Sequence, residues 1–278
     1  MKTAWCLIRE GPHYRRNAFL EGLRKTGYTV STSSPPDGGK RTGDVLVIWN
    51  RYGDYHMHAE RFEKAGGRVI VAENGYAGRD AEGRQYYALS AAWHQRPLIE
   101  SRITNHESRF SKLGIAVKPW RADGKHILIC PQRGFGVRPH CMEKRWPGQT
   151  ANALRQYTKR PVRIRPHPED RDVPVQDRTR RPLDEDLADC WAVVVWSSTA
   201  GVKALIAGIP VFRCGPNFIA EAAAKHGIAE IEGPLLGDRG AAFERLAWGQ
   251  WSIAEIDAGL PFSLMRREPT ENPEPVLA

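Results

Sequence analysis

No stretch of the 278-residue chain approaches the roughly 20 consecutive apolar residues that a membrane-spanning helix requires. The opening Met1-Lys2-Thr3 lacks the features of a secretory signal and leads straight into a strand-like run, so a cytoplasmic protein without a membrane partner is expected. The five cysteines, Cys6, Cys130, Cys141, Cys190 and Cys214, are odd in number and none stands in C-x-x-C spacing. Reduced structural thiols are expected, and no metal. Acidic residues are scarce in the first two thirds. Residues 1–182 hold 34 Lys plus Arg against 18 Asp plus Glu (+16), residues 183–278 hold 7 against 14 (−7), and the sum is the net +9. An acidic partner for the first two thirds, or a solvated basic face, follows from that asymmetry.

The segment 161–215 organises the rest. Two apolar runs, 162–165 and 191–196, each stop at polar residues, as two parallel buried strands do when their ends open into one crevice. Arg165-Pro166-His167-Pro168 ends the first, and Ser197-Ser198-Thr199 ends the second and leads into an apolar-periodic helix with Val202, Leu205 and Ile206. Hydroxyl caps, free backbone N–H groups and the positive end of the helix dipole favour a phosphate. Arg165, His167 and the three hydroxyls are therefore expected to meet on one anion.

In chain order, strands are expected over 3–9, 28–32, 44–50 and 68–74, with helices ending at Gly27 and over 54–65. The pattern blurs over 76–123, where an Ala-rich run at 88–93 and a helix near 107–113 stand out. It restarts with a strand at 126–132, the flexible turn Arg133-Gly134-Phe135-Gly136, a helix over 147–157 with Pro in its first turn, and a short helix over 184–189. A strand at 210–215, a helix over 217–226 and a long helix over 239–258 complete the reading. The fold class is α/β: two tandem Rossmann-like parallel-sheet domains with a cleft between them. The boundaries are 1–120, 121–267 and a disordered Pro- and Glu-rich tail over 268–278.

His-Pro, then some 30 residues on Ser-Ser-Thr, a helix and a Gly-Ile-Pro-Val-Phe strand resemble the donor-binding half of GT-B glycosyltransferases of the capsule-polysaccharide and polysialyltransferase type. The N-terminal half is also similar to small bacteriophage and prophage glycosyltransferases. The resemblance implies that His167 donates to a donor phosphate or nucleoside hydroxyl, that Ser197, Ser198 and Thr199 hold the phosphates, and that Arg165 adds charge. Arg133 and Gly134 follow the first strand of the second domain, where a glycine lets backbone approach a pyrophosphate. A nucleotide sugar, UDP-linked, is the implied donor, with no further cofactor. Asp184-Glu185-Asp186 imitates a metal-binding D-x-D but reads as negative charge in a helix first turn.

Inverting transfer needs a base for the acceptor hydroxyl. Strand ends of the first domain offer Glu73, His13 and Glu10, and Glu73 follows four apolar residues whose burial would raise its pKa. Basic and aromatic residues interleave at His13-Tyr14-Arg15-Arg16, Trp49-Asn50-Arg51-Tyr52, Tyr76-Ala77-Gly78-Arg79 and Lys144-Arg145-Trp146. Arginines that follow phosphates and rings that stack on an extruded base suit DNA. With the phage resemblance, this implies a hydroxymethylated pyrimidine, 5-hydroxymethylcytosine, as acceptor in the host cytoplasm. A surface glycan, lipid or small-molecule acceptor, and a non-catalytic nucleic-acid-binding protein, are the alternatives.

Overall fold

The computed structural model describes residues 2–100, 108–170 and 181–266. The expected tail over 268–278 lies outside them, as does the start of the helix placed near 107–113, of which the described part is a single 3-10 turn, Ser111–Leu113.

The first sheet begins with β1 (Thr3–Cys6), α1 (Arg16–Lys25), β2 (Thr29–Ser31), β3 (Val45–Trp49), α2 (Asp54–Lys64) and β4 (Arg68–Arg79), the strand–helix alternation read from the sequence. Every residue of β3 is buried, as a strand flanked on both sides and covered on both faces must be. β4 does not stop at Glu73. It turns into a hairpin with β5 (Gln85–Ala91), antiparallel, in which Glu73 faces Ala88. The Ala-rich run is therefore a strand, and the first sheet is mixed rather than purely parallel. Gly75 sits where a Cβ would come within 2.7 Å of the Tyr86 backbone, so the hairpin closes only around a glycine there.

The second sheet is entirely parallel. It comprises β6 (His126–Cys130), α3 (Trp146–Leu154), β7 (Val162–Ile164), α4 (Leu183–Leu187), β8 (Cys190–Val195), α5 (Thr199–Ile206), β9 (Val211–Arg213) and β10 (Ala224–His226), with spatial order β10-β9-β8-β6-β7. Two expectations change. The strand after residue 161 is an exposed edge, with Ile164 42% accessible, not a buried neighbour of β8; β6 lies between them. Most of the helix expected over 217–226 is one 3-10 turn (Glu221–Ala223) followed by β10, because pairing with β9 outweighs the helix propensity of its alanines.

The long helix expected over 239–258 is broken into α6 (Gly240–Trp248), β11 (Gln250–Trp251) and α7 (Ile253–Asp257), followed by α8 (Leu260–Met265). β11 pairs antiparallel with β5, so the chain after residue 249 belongs to the first sheet, whose order is β11-β5-β4-β3-β1-β2. The fully buried Gln250 explains the break: its Oε1 accepts from the Tyr76 and Ala77 amides, and its Nε2 donates to the Ala77 carbonyl. Ser252 and Glu255 then form a capping box that restarts the helix. α7 crosses α1 at Gly22, where a Cβ would stand 1.9 Å from the Ile256 carbonyl oxygen, so only glycine allows this return to the first sheet.

Candidate active site

A cleft of about 230 Å³ opens between the sheets. The second sheet lines it with Gln132, Arg133 and Gly134 after β6, His167 after β7, and Ser197, Ser198 and Thr199 between β8 and α5. His167 and the hydroxyls thus share one crevice although their strands are not adjacent; the β6 end fills the space between them. Ser198 is the N-cap of α5, its Oγ accepting from the Ala200 amide at 3.3 Å, which leaves the dipole end facing the cleft. Ser197 is buried and accepts from the Gln132 side chain. His167 Nδ1 accepts from the Glu169 amide at 3.1 Å, so in the neutral ring the proton sits on Nε2. Burial and the Arg133 charge push its pKa down. Arg133 itself pairs with Glu169 at 2.8 Å.

Arg165 is not part of the cleft lining. Its guanidinium is drawn away into a buried ion pair with Asp186, which Arg181 also meets at 2.8 Å, and it donates to the Arg181 carbonyl. Asp186 is buried and stands with Asp184 and Glu185 in the first turn of α4, as expected, where it also serves as the ion-pair partner of both arginines. The convergence expected of Arg165, His167 and the hydroxyls holds for the last two only.

From the first sheet the cleft receives Glu73, Asn50, Arg51 and Tyr52, together with a loop the sequence pattern did not single out, Trp93-His94-Gln95. Glu73 Oε1 is buried with no hydrogen-bond partner, and desolvation raises its pKa to about 7. A carboxyl in that state is half-ionised near neutrality and has an acceptor position open. His13 and Glu10 lie outside the lining. His13 is exposed and packs edge-on against Tyr14 and Trp49, and Glu10 is exposed and pairs with Arg16.

The residues read as nucleic-acid contacts divide. Trp49 is buried and meets Tyr14 and Tyr87 edge to face, and Tyr76 is buried in the core next to Ser90. Arg51 is 3% exposed, paired with both Glu63 oxygens at 2.7 and 2.8 Å and lying 3.9 Å from the Trp93 ring centroid. None of these three presents a free surface to a duplex, because each serves packing or a buried ion pair. Arg15, Arg16, Tyr52, Arg79, Lys144 and Arg145 remain at least partly accessible, and Tyr52 borders the cleft.

Chain geometry marks the same place. Among the described residues, four non-glycines have positive φ: Arg15, Asn50, Ala92 and Gln95. Asn50 and Gln95 line the cleft and Ala92 precedes Trp93. Backbone strain held at a cleft accompanies function. His94 and His140 also line it, and burial lowers the pKa of each to about 4, keeping both rings neutral. His140 Nδ1 lies 3.2 Å from Asn217 Nδ2, which also reaches the His94 carbonyl at 3.4 Å. Sequence reading missed His94 and His140 because they sit in loops without periodicity, and Gln132 and Asn217 because they fell at the ends of an expected strand and an expected helix. The available local signal was the adjacent pair Trp93-His94.

No protein-family model matches this chain, and no curated protein matches it in sequence. Solved structures do. The Thermosulfurimonas dismutans KpsC beta Kdo 2,7 transferase is 15% identical, with 94% of this chain and 98% of that chain covered at a TM-score of 0.54. The beta Kdo 2,4 transferase of the same organism's KpsC is 15% identical, with 90% of each chain covered at 0.53. The chain therefore has the GT-B fold of these transferases: two Rossmann-like sheets, one of them wholly parallel, facing one another across the cleft that holds Glu73, His167 and Ser198.

Proposed function

We propose that the chain is a glycosyltransferase that takes a sugar from a nucleotide-sugar donor. The observation that carries this reading is the pairing, in one cleft, of an unpartnered carboxyl from one sheet with an imidazole donor and a capped helix start from the other. The solved transferases of the same fold support it. His167 Nε2–H and the α5 N-terminus, with the Ser198 and Thr199 hydroxyls, stabilise the charge that grows on the departing nucleotide phosphate. Arg133, on exchanging Glu169 for the phosphate, offsets that negative charge. Glu73, ionised, removes the proton from the acceptor hydroxyl as the new glycosidic bond forms.

Thermal-shift titration with UDP-glucose, UDP-GlcNAc and a CMP-sugar tests the donor. A response in the wild-type chain that disappears in His167→Ala is expected; no response to any of the three ends the reading. For the acceptor, the burial of Trp49, Arg51 and Tyr76 removes much of what favoured hydroxymethylated DNA, and we place a glycan first. DNA binding at low salt that falls steeply with added salt and with Arg15→Ala would return the DNA acceptor to first place.

A further inference from the structure

A second cavity, of about 640 Å³, opens on the first sheet beyond Tyr52. It lies at the C-terminal ends of β1, β2 and β3, where the chain passes through Arg9, Thr32, Ser34 and Tyr52, and Arg16 of α1 closes one side. Its size falls within the roughly 300–1,000 Å³ of small-molecule sites. Tyr52 lines this cavity and the catalytic cleft alike, so the two are neighbours across one side chain.

The charge of its lining is unbalanced. Arg9 and Arg16 line the cavity with one carboxylate, Asp54. Arg9 is exposed at the cavity, which Tyr55 also lines, and the Tyr55 hydroxyl donates to the Leu7 carbonyl at 3.2 Å. Arg16 gives one Nη2 contact to Glu10, which is outside the lining, while its Nε is buried without a partner. The Arg16 side chain keeps 24% of its surface exposed, so donor positions besides the one given to Glu10 stay within reach of an entering oxyanion. Thr32 and Ser34 add hydroxyls suited to sugar or oxyanion oxygens.

We propose that this cavity is an acceptor subsite for an oxyanion, carboxylate or phosphate, carried on a glycan, with Arg9 and Arg16 as its charge partners. The proposal rests on the glycosyltransferase reading: the hydroxyl that receives the sugar lies toward Glu73 and the anionic group of the same chain lies past Tyr52. It also gives the positive excess of residues 1–182 a specific use.

Isothermal titration at low salt with trigalacturonate, a phosphorylated trimannoside, maltotriose and a DNA duplex tests it. Trigalacturonate or the phosphorylated trimannoside is expected to bind at least tenfold more tightly than maltotriose, and the tighter of the two assigns carboxylate or phosphate. Arg9→Gln and Arg16→Gln each weaken that binding about tenfold, Arg9→Lys recovers most of it, and the thermal shift with nucleotide sugars stays unchanged in all three. Acidic trimers that bind no better than maltotriose, or that bind equally to the Gln variants, overturn the subsite. So does Arg9-dependent binding of duplex DNA with neither acidic trimer bound. If the acidic trimers bind through Arg9 while no nucleotide sugar is bound, the anion site stands and the glycosyltransferase reading falls.

Discussion

The imidazole of His140 lies flat on the indole of Trp93, ring centroids 3.7 Å apart and planes 15° from parallel. Trp93 follows β5 of the first sheet and His140 belongs to the loop after β6 of the second, so the stack joins the two walls of the cleft. Arg51 covers the other face of the indole, and three planar groups make one pile. Such a stack contributes about 0.5–1.5 kcal/mol beyond the area it buries.

The stack gives the chain an acid-sensitive step. His94 and His140 fall from 6.5 to about 4 in the fold. Between these values the unfolded chain binds more protons than the folded one, so stability present above 6.5 is lost as pH falls toward 4. His140→Phe keeps a ring on Trp93 and removes one titration. Calorimetric melting from pH 7.5 to 4.5 should show a shallower acid decline in the variant; identical slopes would refute the assignment.

Transfer activity should rise with pH through about 7, the value to which burial lifts the Glu73 carboxyl. Glu73→Gln removes the base and should lower kcat about 10²–10⁴-fold while the thermal shift with nucleotide sugar persists. A variant that retains full activity would move the base elsewhere.

The same carboxyl predicts a stability gain on mutation. Its folded pKa lies above the unfolded 4.5, so its stabilising contribution is complete below 4.5 and lost as pH rises through about 7. Glu73→Gln should therefore melt like the wild type at pH 4 and be more stable at pH 8, by about 3 kcal/mol at most. Equal melting at pH 8 would mean that Glu73 is better solvated than its unpartnered Oε1 indicates.

Ser198 and His167 separate fold from ligand. Ser198→Ala removes the α5 cap and should cost about 1 kcal/mol of stability as well as donor affinity. His167→Ala, in a half-buried position where the ring accepts from the Glu169 amide, should lose affinity with little change in melting temperature. Paired melting and titration of the two variants checks both.

Arg165 should behave in the opposite way. Asp186→Ala leaves Arg165 and Arg181 unpaired and should destabilise by about 3–5 kcal/mol, with donor affinity per folded molecule unaltered. A loss of affinity in Arg165→Met without a loss of stability would put that side chain back in the site.

Much of this molecule was legible in its residues because the signals were local. The wholly apolar run of β3 and the Ser-Ser-Thr start of α5 each rest on neighbours within four positions. The same locality misled at 239–258, where helical periodicity hid a strand that exists because Gln250 meets the Tyr76 backbone, 174 positions away. It misled at Arg165, whose partner Asp186 is decided by where an edge strand ends.

The order of charged, apolar and hydroxyl residues was enough by itself to determine that alternating strands and helices form two sheets and that Ser198 caps a helix, since backbone hydrogen bonding and side-chain period act over a few residues. Which loops share the cleft, that β6 separates the His167 and Ser197 strands, and that Glu73 loses its water were decided only by the tertiary structure. Desolvation depends on every group packed around an atom, and those groups come from distant parts of the chain.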